Sequence, residues 1–410
     1  MTAAVQSFAY RGRDTSGKLV KGKVDAPSES SVAARLRGMG IAPLAIEEAK
    51  PATGINREVN LKFLEKRVGL KDLAVMSRQM ATMIASGLAL LRTLRILAEQ
   101  TENPKLAATL DAVRAEVEAG RSLSDALAKH PDVFPPLMIS LVRGGETGGF
   151  LEQALESVAQ NYEKEVKLRA TIKSALTYPV AVLGMAVLAV IGMLVFIVPV
   201  FENMFAGLGG ELPLPTKFLV WLSGLMIWLG PLLLAGAVGF SFWWRANRNT
   251  PQVRKVWEPA ILKLPVFGSL FRKVAIARFS RNFSTMLASG VPILQALSVV
   301  ADTSGNWVVE QALMKVQESV RKGNSVAAPL AQEPVFPPMV TQMVAVGEDS
   351  GTLEQMLAKI ADFYDDEVLS TTEQLTALIE PIMIAFIGVV IGGMIVALYM
   401  PVFSIFQQVQ

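Results

Sequence analysis

Hydrophobic positions along this 410-residue chain follow two patterns, and each pattern occurs more than once. Between about residues 70 and 173, apolar residues recur at helical spacing, as in Leu91, Leu94 and Leu97. Residues 272–375 carry the same stripe in Leu294, Leu297 and Val300. Three other stretches, 174–201, 218–244 and 381–410, contain no charged residue. Each exceeds the roughly 20 residues a helix needs to cross a bilayer. The first 48 residues read differently. Phe8–Tyr10, Leu19–Val24 and residues 43–47 have strand character, with a turn at Thr15–Lys18 and a short helix from a Ser28 cap to Leu36.

The repetition reaches individual residues. Residues 78–98, RQMATMIASGLALLRTLRILA, return as RNFSTMLASGVPILQALSVVA at 281–301. FPPLMISLVRGGETGGFLEQAL (134–155) returns as FPPMVTQMVAVGEDSGTLEQML (336–357). Pro179 falls on Pro381, and Pro199-Val200-Phe201 falls on Pro401-Val402-Phe403. In each copy the two prolines are 20 residues apart, a helical rise of about 30 Å, so they are predicted to mark the two faces of the bilayer. A duplicated bundle-plus-anchor argues for a platform with two related faces and against a single-pocket enzyme.

Charge sets the expected orientation. Lys164, Lys167, Arg169 and Lys173 precede the first span, and Arg245, Arg248, Arg254 and Lys255 follow the second. The loop between them holds one lysine and two glutamates. By the positive-inside rule both bundles are cytoplasmic and the loop lies outside. Likeness to the first span gives the third its direction, which puts the C-terminus outside. The predicted order is a small α+β domain (1–48), a linker (49–69), bundle one (70–173), span one (174–201), an external loop (202–217), span two (218–244), a connector (245–271), bundle two (272–380) and span three (381–406). The fold class is thus mainly α: a polytopic membrane protein with two homologous cytoplasmic bundles of about six helices each.

Composition narrows the chemistry. Half the residues are hydrophobic, and the net charge of +3 is too small for a nucleic-acid surface. There is no cysteine, and the single histidine, His130, beside Pro131, reads as a loop residue. The N-terminus lacks the apolar core of a signal peptide. Gly12 to Lys18 approaches a phosphate-binding loop, but Leu19 stands where a magnesium-binding hydroxyl is required, and the following residues alternate as a strand. No catalytic residue, metal site or cofactor is predicted.

The candidate functional positions are paired. Gly87 and Gly290 are placed to end helices in the left-handed conformation. Two acidic turns match: Gly145, Glu146, Gly149 and Glu152 against Gly347, Glu348, Gly351 and Glu354. Glu152 and Glu354 suit the first turn of a helix. Glu146 and Glu348 fall at a helix end that disfavours acids, which suggests a local hydrogen bond, a basic partner or, more weakly, a cation. The copies differ at Thr147-Gly148 against Asp349-Ser350, so the two turns need not make the same contacts. Arg78, Arg92, Arg95, Arg278 and Arg281, with Arg272 and Lys273, form a basic set able to meet an acidic partner. Gly388 and Gly392 have the small-xxx-small spacing of packed membrane helices, with span one or two of the same chain as the expected neighbour and a dimer contact as the alternative.

The ASG turns, the FPP…GE..G..LEQ motifs and the order of bundles and spans together resemble the inner-membrane platform proteins of type IV pili and type II secretion systems, the PilC and GspF families. The resemblance covers essentially the whole chain. The stretch from Ala345 to Val368 and the ending Gly392…Pro401-Val402-Phe403 are closer to the pilus branch. It implies a non-catalytic inner-membrane oligomer. The implied partners are a hexameric extension ATPase (with a retraction ATPase as a further candidate), pilins and other inner-membrane pilus assembly proteins. A secretion platform is the first alternative. A repeat-built transporter of small substrates is the second, opposed by the presence of only three spans without a buried ionisable group.

Overall fold

The computed structural model describes residues 6–13, 19–26, 29–38, 41–48, 67–206, 212–265 and 267–408. The chain divides into two compact units, Met1–Glu65 and Lys66–Gln410.

In the first unit, strands β1 (Gln6–Arg13), β2 (Leu19–Ala26) and β3 (Ala42–Glu48) form an antiparallel sheet of order β2-β1-β3, with helix α1 (Glu29–Gly38) between β2 and β3 in the chain. Phe8 on the central strand and Val32 and Leu36 on the helix form its small core. Leu19 opens a strand, as the rejection of a phosphate loop requires. The turn expected at Thr15–Lys18, the Ser28 cap and most of the linker lie outside the described residues.

The described residues of the second unit form helices joined by turns. Its first repeat holds α2 (Leu70–Ala85), α3 (Leu90–Gln100), α4 (Pro104–Glu118), α5 (Leu123–Ala128), α6 (Pro136–Gly148) and α7 (Leu151–Gly192). A five-residue π segment, Met193–Ile197, then leads into α8 (Val198–Ala206). Helix α9 (Leu214–Asn247) forms the second span and α10 (Pro251–Leu262) the connector. The second repeat holds α11 (Phe267–Ala288), α12 (Ile293–Thr303), α13 (Trp307–Arg321), α14 (Ala327–Ala331), α15 (Pro338–Asp349) and the 56-residue α16 (Leu353–Gln408).

Among the described residues, three helices are long and apolar enough to cross a membrane. The first and third of these do not start at the bilayer. Helix α7 runs from the acidic turn through Pro179 into the apolar segment, and α16 does the same through Pro381 and Pro401. The boundary prolines therefore sit inside helices. Before Pro199, whose ring nitrogen has no hydrogen to donate, the ladder widens: the Val198 amide reaches back to the Met193 carbonyl.

Sequence separates two bundles, but packing joins them. One hydrophobic core runs from Leu73, Met80 and Leu97 of the first repeat to Phe279, Leu313 and Leu357 of the second. Nearer the membrane, Leu168, Leu270, Val368 and Leu375 clamp the two long helices together. The spans meet at their far ends through Leu194, Val198, Leu219, Met394, Ala397 and Leu398. There the Thr216 hydroxyl donates to the Ala397 carbonyl (2.5 Å) and the Ser223 hydroxyl to the Leu194 carbonyl (2.5 Å). Gly388 and Gly392 are not part of this contact: a Cβ added at either meets no atom within 4 Å, so the expected packing on another span of the chain is corrected.

Candidate functional site: the acidic turns and the seam between repeats

Each acidic turn closes a short helix. The Glu146 carboxylate accepts from the amides of Leu123 (2.5 Å) and Ser124 (3.0 Å), at the start of α5. Glu348 accepts from the equivalent amides of Val326 (2.7 Å) and Ala327 (3.1 Å), at the start of α14. The first amides of a helix have no partner within it and lie at its positive end, so a carboxylate satisfies both needs. The neighbouring glycines permit the approach. A Cβ on Gly145 would lie 2.4 Å from the Ala154 Cβ, and one on Gly347 2.9 Å from the Leu353 Cα. Gly149 and Gly351 then turn the chain at φ of +75° and +71° into α7 and α16, whose first turns carry the exposed Glu152 and Glu354. Replacing Glu146 or Glu348 by alanine is expected to cost about 1–2 kcal/mol each. Glutamine, which keeps an acceptor, should recover part of this loss, as read by thermal unfolding in detergent.

The ASG turns are alike in backbone and unlike in surroundings. Gly87 and Gly290 have φ of +80° and +65°. Ser86 is exposed, whereas Ser289 is buried beneath the first repeat. Gly144 fits there because a Cβ would come within 2.9 Å of the Ser289 carbonyl oxygen, and the Phe150 ring rests over Gly290.

These contacts belong to a seam that runs in one direction, from the back of repeat one to the front of repeat two. Asn161 donates to Asn282 (3.0 Å), and Lys164 pairs with Asp362 (2.8 Å). Glu165 binds Arg278 (2.5 Å) and Arg169 (2.8 Å) and lies 3.7 Å from Arg281, which also bonds Asp365. The Glu165 and Arg281 side chains are only 8% and 6% exposed. Burial pushes the Glu165 carboxyl up, but Arg278 and Arg169 outweigh it and hold it below the usual carboxylate range. For Asp365 burial wins over Arg281, and its carboxyl is raised.

The repeat-one counterpart is a surface cluster. Arg78 is gripped by Glu156 and Glu163, both 2.6 Å away, which holds both carboxyls low. The pair Arg78–Glu163 occupies the same repeat positions as Arg281–Asp365. The expectation that the whole basic set faces a partner is therefore corrected. Arg281 is buried, Arg278 is committed to Glu165, and Arg78 is held by two acids. Arg272 donates to the carbonyls of Pro334 and Val335 (the latter at 2.6 Å), and Lys273 pairs with Glu367 (2.7 Å). Arg92 and Arg95 remain exposed. Sequence reading missed Glu165, although one signal was available: it falls on the buried stripe of α7 with Val158, Tyr162 and Leu168.

The same residues can be set against known proteins. A family described as type II secretion system protein F matches residues 76–199 and, a second time, 279–401. The chain belongs to the type II secretion system protein F family. The N-terminal domain of that family matches residues 3–47. Among relatives, the type IV pilus assembly protein PilC of Thermus thermophilus is 45% identical over 401 residues, covering 97% of this chain and 98% of the relative. PilC of Myxococcus xanthus is 42% identical over 410 residues, covering 99% and 97%. The type II secretion system protein F of Vibrio cholerae is 34% identical over 396 residues, covering 97% of each. Within this family member the two matched segments coincide with the repeats, and each match ends in an apolar span.

Proposed function

We propose that this chain is the inner-membrane assembly platform of a type IV pilus, coupling a cytoplasmic hexameric motor ATPase to the insertion or removal of pilins. The observation that carries the proposal is the continuity of α7 and α16 from the cytoplasmic repeats into the apolar segments. A displacement of either repeat is transmitted along a helix, with no flexible joint between them. The clamp of Leu168, Leu270, Val368 and Leu375 makes the two helices move together. Identity to PilC proteins favours the pilus over the secretion system, and the role is mechanical rather than catalytic.

The spans have surface to spare. In their most apolar windows only 6%, 11% and 22% of residues are buried within the chain. The remaining surface is available to lipid, pilins, other inner-membrane assembly proteins or further copies of the chain. The one-way seam leaves two unequal cytoplasmic faces. Val75 and Gln79 are exposed on the front of repeat one, and Val346 and Phe363 on the back of repeat two. Their counterparts Arg278, Asn282, Gly144 and Asn161 form the seam.

Residue-mapped cross-linking with the cognate ATPase tests the partner. Photo-reactive residues at exposed Arg92, Arg95, Val346 or Phe363 are expected to capture it, and one at buried Arg281 is not. Failure at every exposed cytoplasmic position would remove the motor from the proposal. Topology has its own test. Reporter enzymes active only outside the membrane should work when fused at Gly209 or Gln410 and stay silent at Gly120 or Gly323. Activity at Gly120 would reverse the orientation.

A further inference from the structure

A groove of about 560 Å³ lies where the second span leaves the apolar zone, and the platform role does not account for it. Its walls come from parts of the chain far apart in sequence: Arg169 of α7, Trp244 and Arg248 at the end of α9, Trp257 of α10, Phe271 and Arg278 of α11. Arg248 stands four residues beyond the last residue of the charge-free second span, and Arg169 five residues before the first span begins. Both cations therefore lie within about two helical turns of a charge-free run.

Three arginines and one carboxylate, Glu258, line the groove, and two of the arginines, Arg169 and Arg278, are paired with Glu165. Glu258 is already spent: it accepts from Arg254 (3.0 Å) and from the Trp307 amide. Arg278 is fixed beside the turn between α12 and α13, where its guanidinium reaches the Ser304 carbonyl (3.5 Å). Gly305 makes room for it, since a Cβ there would fall 2.2 Å from the Arg278 Nη1. Arg248 is different. Its side chain is exposed and has no hydrogen bond or ion pair among the described residues. Three aromatic residues, Trp244, Trp257 and Phe271, also line the groove, and Phe240 adjoins them. Trp244 and Trp257 meet edge to face at 4.8 Å, and Phe240, 61% exposed on the span, stacks on Trp244 at 6.0 Å.

We propose that this groove binds the phosphate headgroup of an anionic phospholipid, with Arg248 as the principal contact. Tryptophan and arginine together at an interface match the two halves of such a ligand, a charged head on an apolar stem. A free phosphate shares the headgroup chemistry but would leave the aromatic wall without a partner. Because the walls join the first span's helix, the second span and the second repeat, a bound lipid would tie the spans to the cytoplasmic core. The site is expected whether the chain serves a pilus or a secretion system.

The test uses the full-length chain purified in detergent. Phosphatidylglycerol, cardiolipin, phosphatidylcholine and inorganic phosphate are each added, and binding is read by native mass spectrometry and by thermal shift. The expected result is retention of, and stabilisation by, the two anionic lipids alone. Arg248→Gln should weaken their binding about fivefold, while Arg95→Gln, which changes an exposed arginine outside the groove, should not. Trp257→Ala should weaken retention of lipid with the arginine intact. Equal binding of phosphatidylcholine, an equal shift from inorganic phosphate, or no effect of Arg248→Gln would each overturn the proposal.

Discussion

Replacing Glu165 by alanine is expected to destabilise the protein by about 3–5 kcal/mol, more than removal of any surface ion pair. Arg281 is buried and Arg278 nearly so, and Glu165 is the one carboxylate that lies against both. Removing it leaves cations in a poorly hydrated seam, where the cost of an unpaired charge is large. Glu165→Gln should recover little, because the amide keeps the shape and loses the charge. Arg78→Ala, in the surface counterpart, should cost only about 1 kcal/mol, since Arg78 and its two acids remain well hydrated. The purified chain should show this order as successively larger drops in its thermal midpoint. A Glu165→Ala protein that melts like the parent would mean the seam does not hold the repeats together.

The seam also sets a pH dependence with two signs. Glu165 has a lowered folded pKa, so its contribution is present above the ordinary carboxylate range and is lost as pH falls through the folded value. Asp365 has a raised folded pKa, so its ionised form costs stability at neutral pH, and mild acidification relieves that cost. Asp365→Asn should accordingly be much milder than Glu165→Gln at neutral pH. It should also flatten the change in thermal midpoint as pH falls from neutrality toward the carboxylate range.

Much of this architecture was readable from the chain because its signals are local. Charge-free runs mark the spans, and the left-handed turns at Gly87, Gly290, Gly149 and Gly351 need glycine for steric reasons. The role of Glu146 and Glu348 was half readable. An acid kept at an unfavourable helix end implied a special contact, but not which amides would receive it. The seam was hidden because a helix buried on one side and a helix buried on all sides carry similar residues. In α11 the successive residues Arg281, Asn282, Phe283 and Ser284 are all buried, since the second repeat packs on one face and α7 on the other. Its counterpart α2 lacks the second neighbour and leaves Val75, Gln79 and Thr82 exposed. In α11 the arginines turn inward, whereas Arg78 of α2 stays at the surface between two acids. The fate of Gly388 and Gly392 was hidden for a related reason: spacing shows that helices can approach closely, and only packing shows whether they do.

The proposed function routes force along α7 and α16 from the repeats to the membrane. Its second large consequence is that stiffness at the membrane entry matters more than sequence there. A short Gly-Ser segment inserted after Lys173, or after Ile379, lies beyond the Leu168–Leu375 clamp and outside the repeat core. It should leave protein level, membrane insertion and ATPase cross-linking unchanged. An insertion of about two helical turns, near seven residues, preserves both the stiffness and the facing of the helix. The decisive measurement is surface piliation of cells carrying each insertion in place of the parent chain. Loss of pili is expected with the flexible segment, and substantial retention with the helical one. Full piliation with the flexible segment in both helices, at normal protein level, would contradict the proposed route.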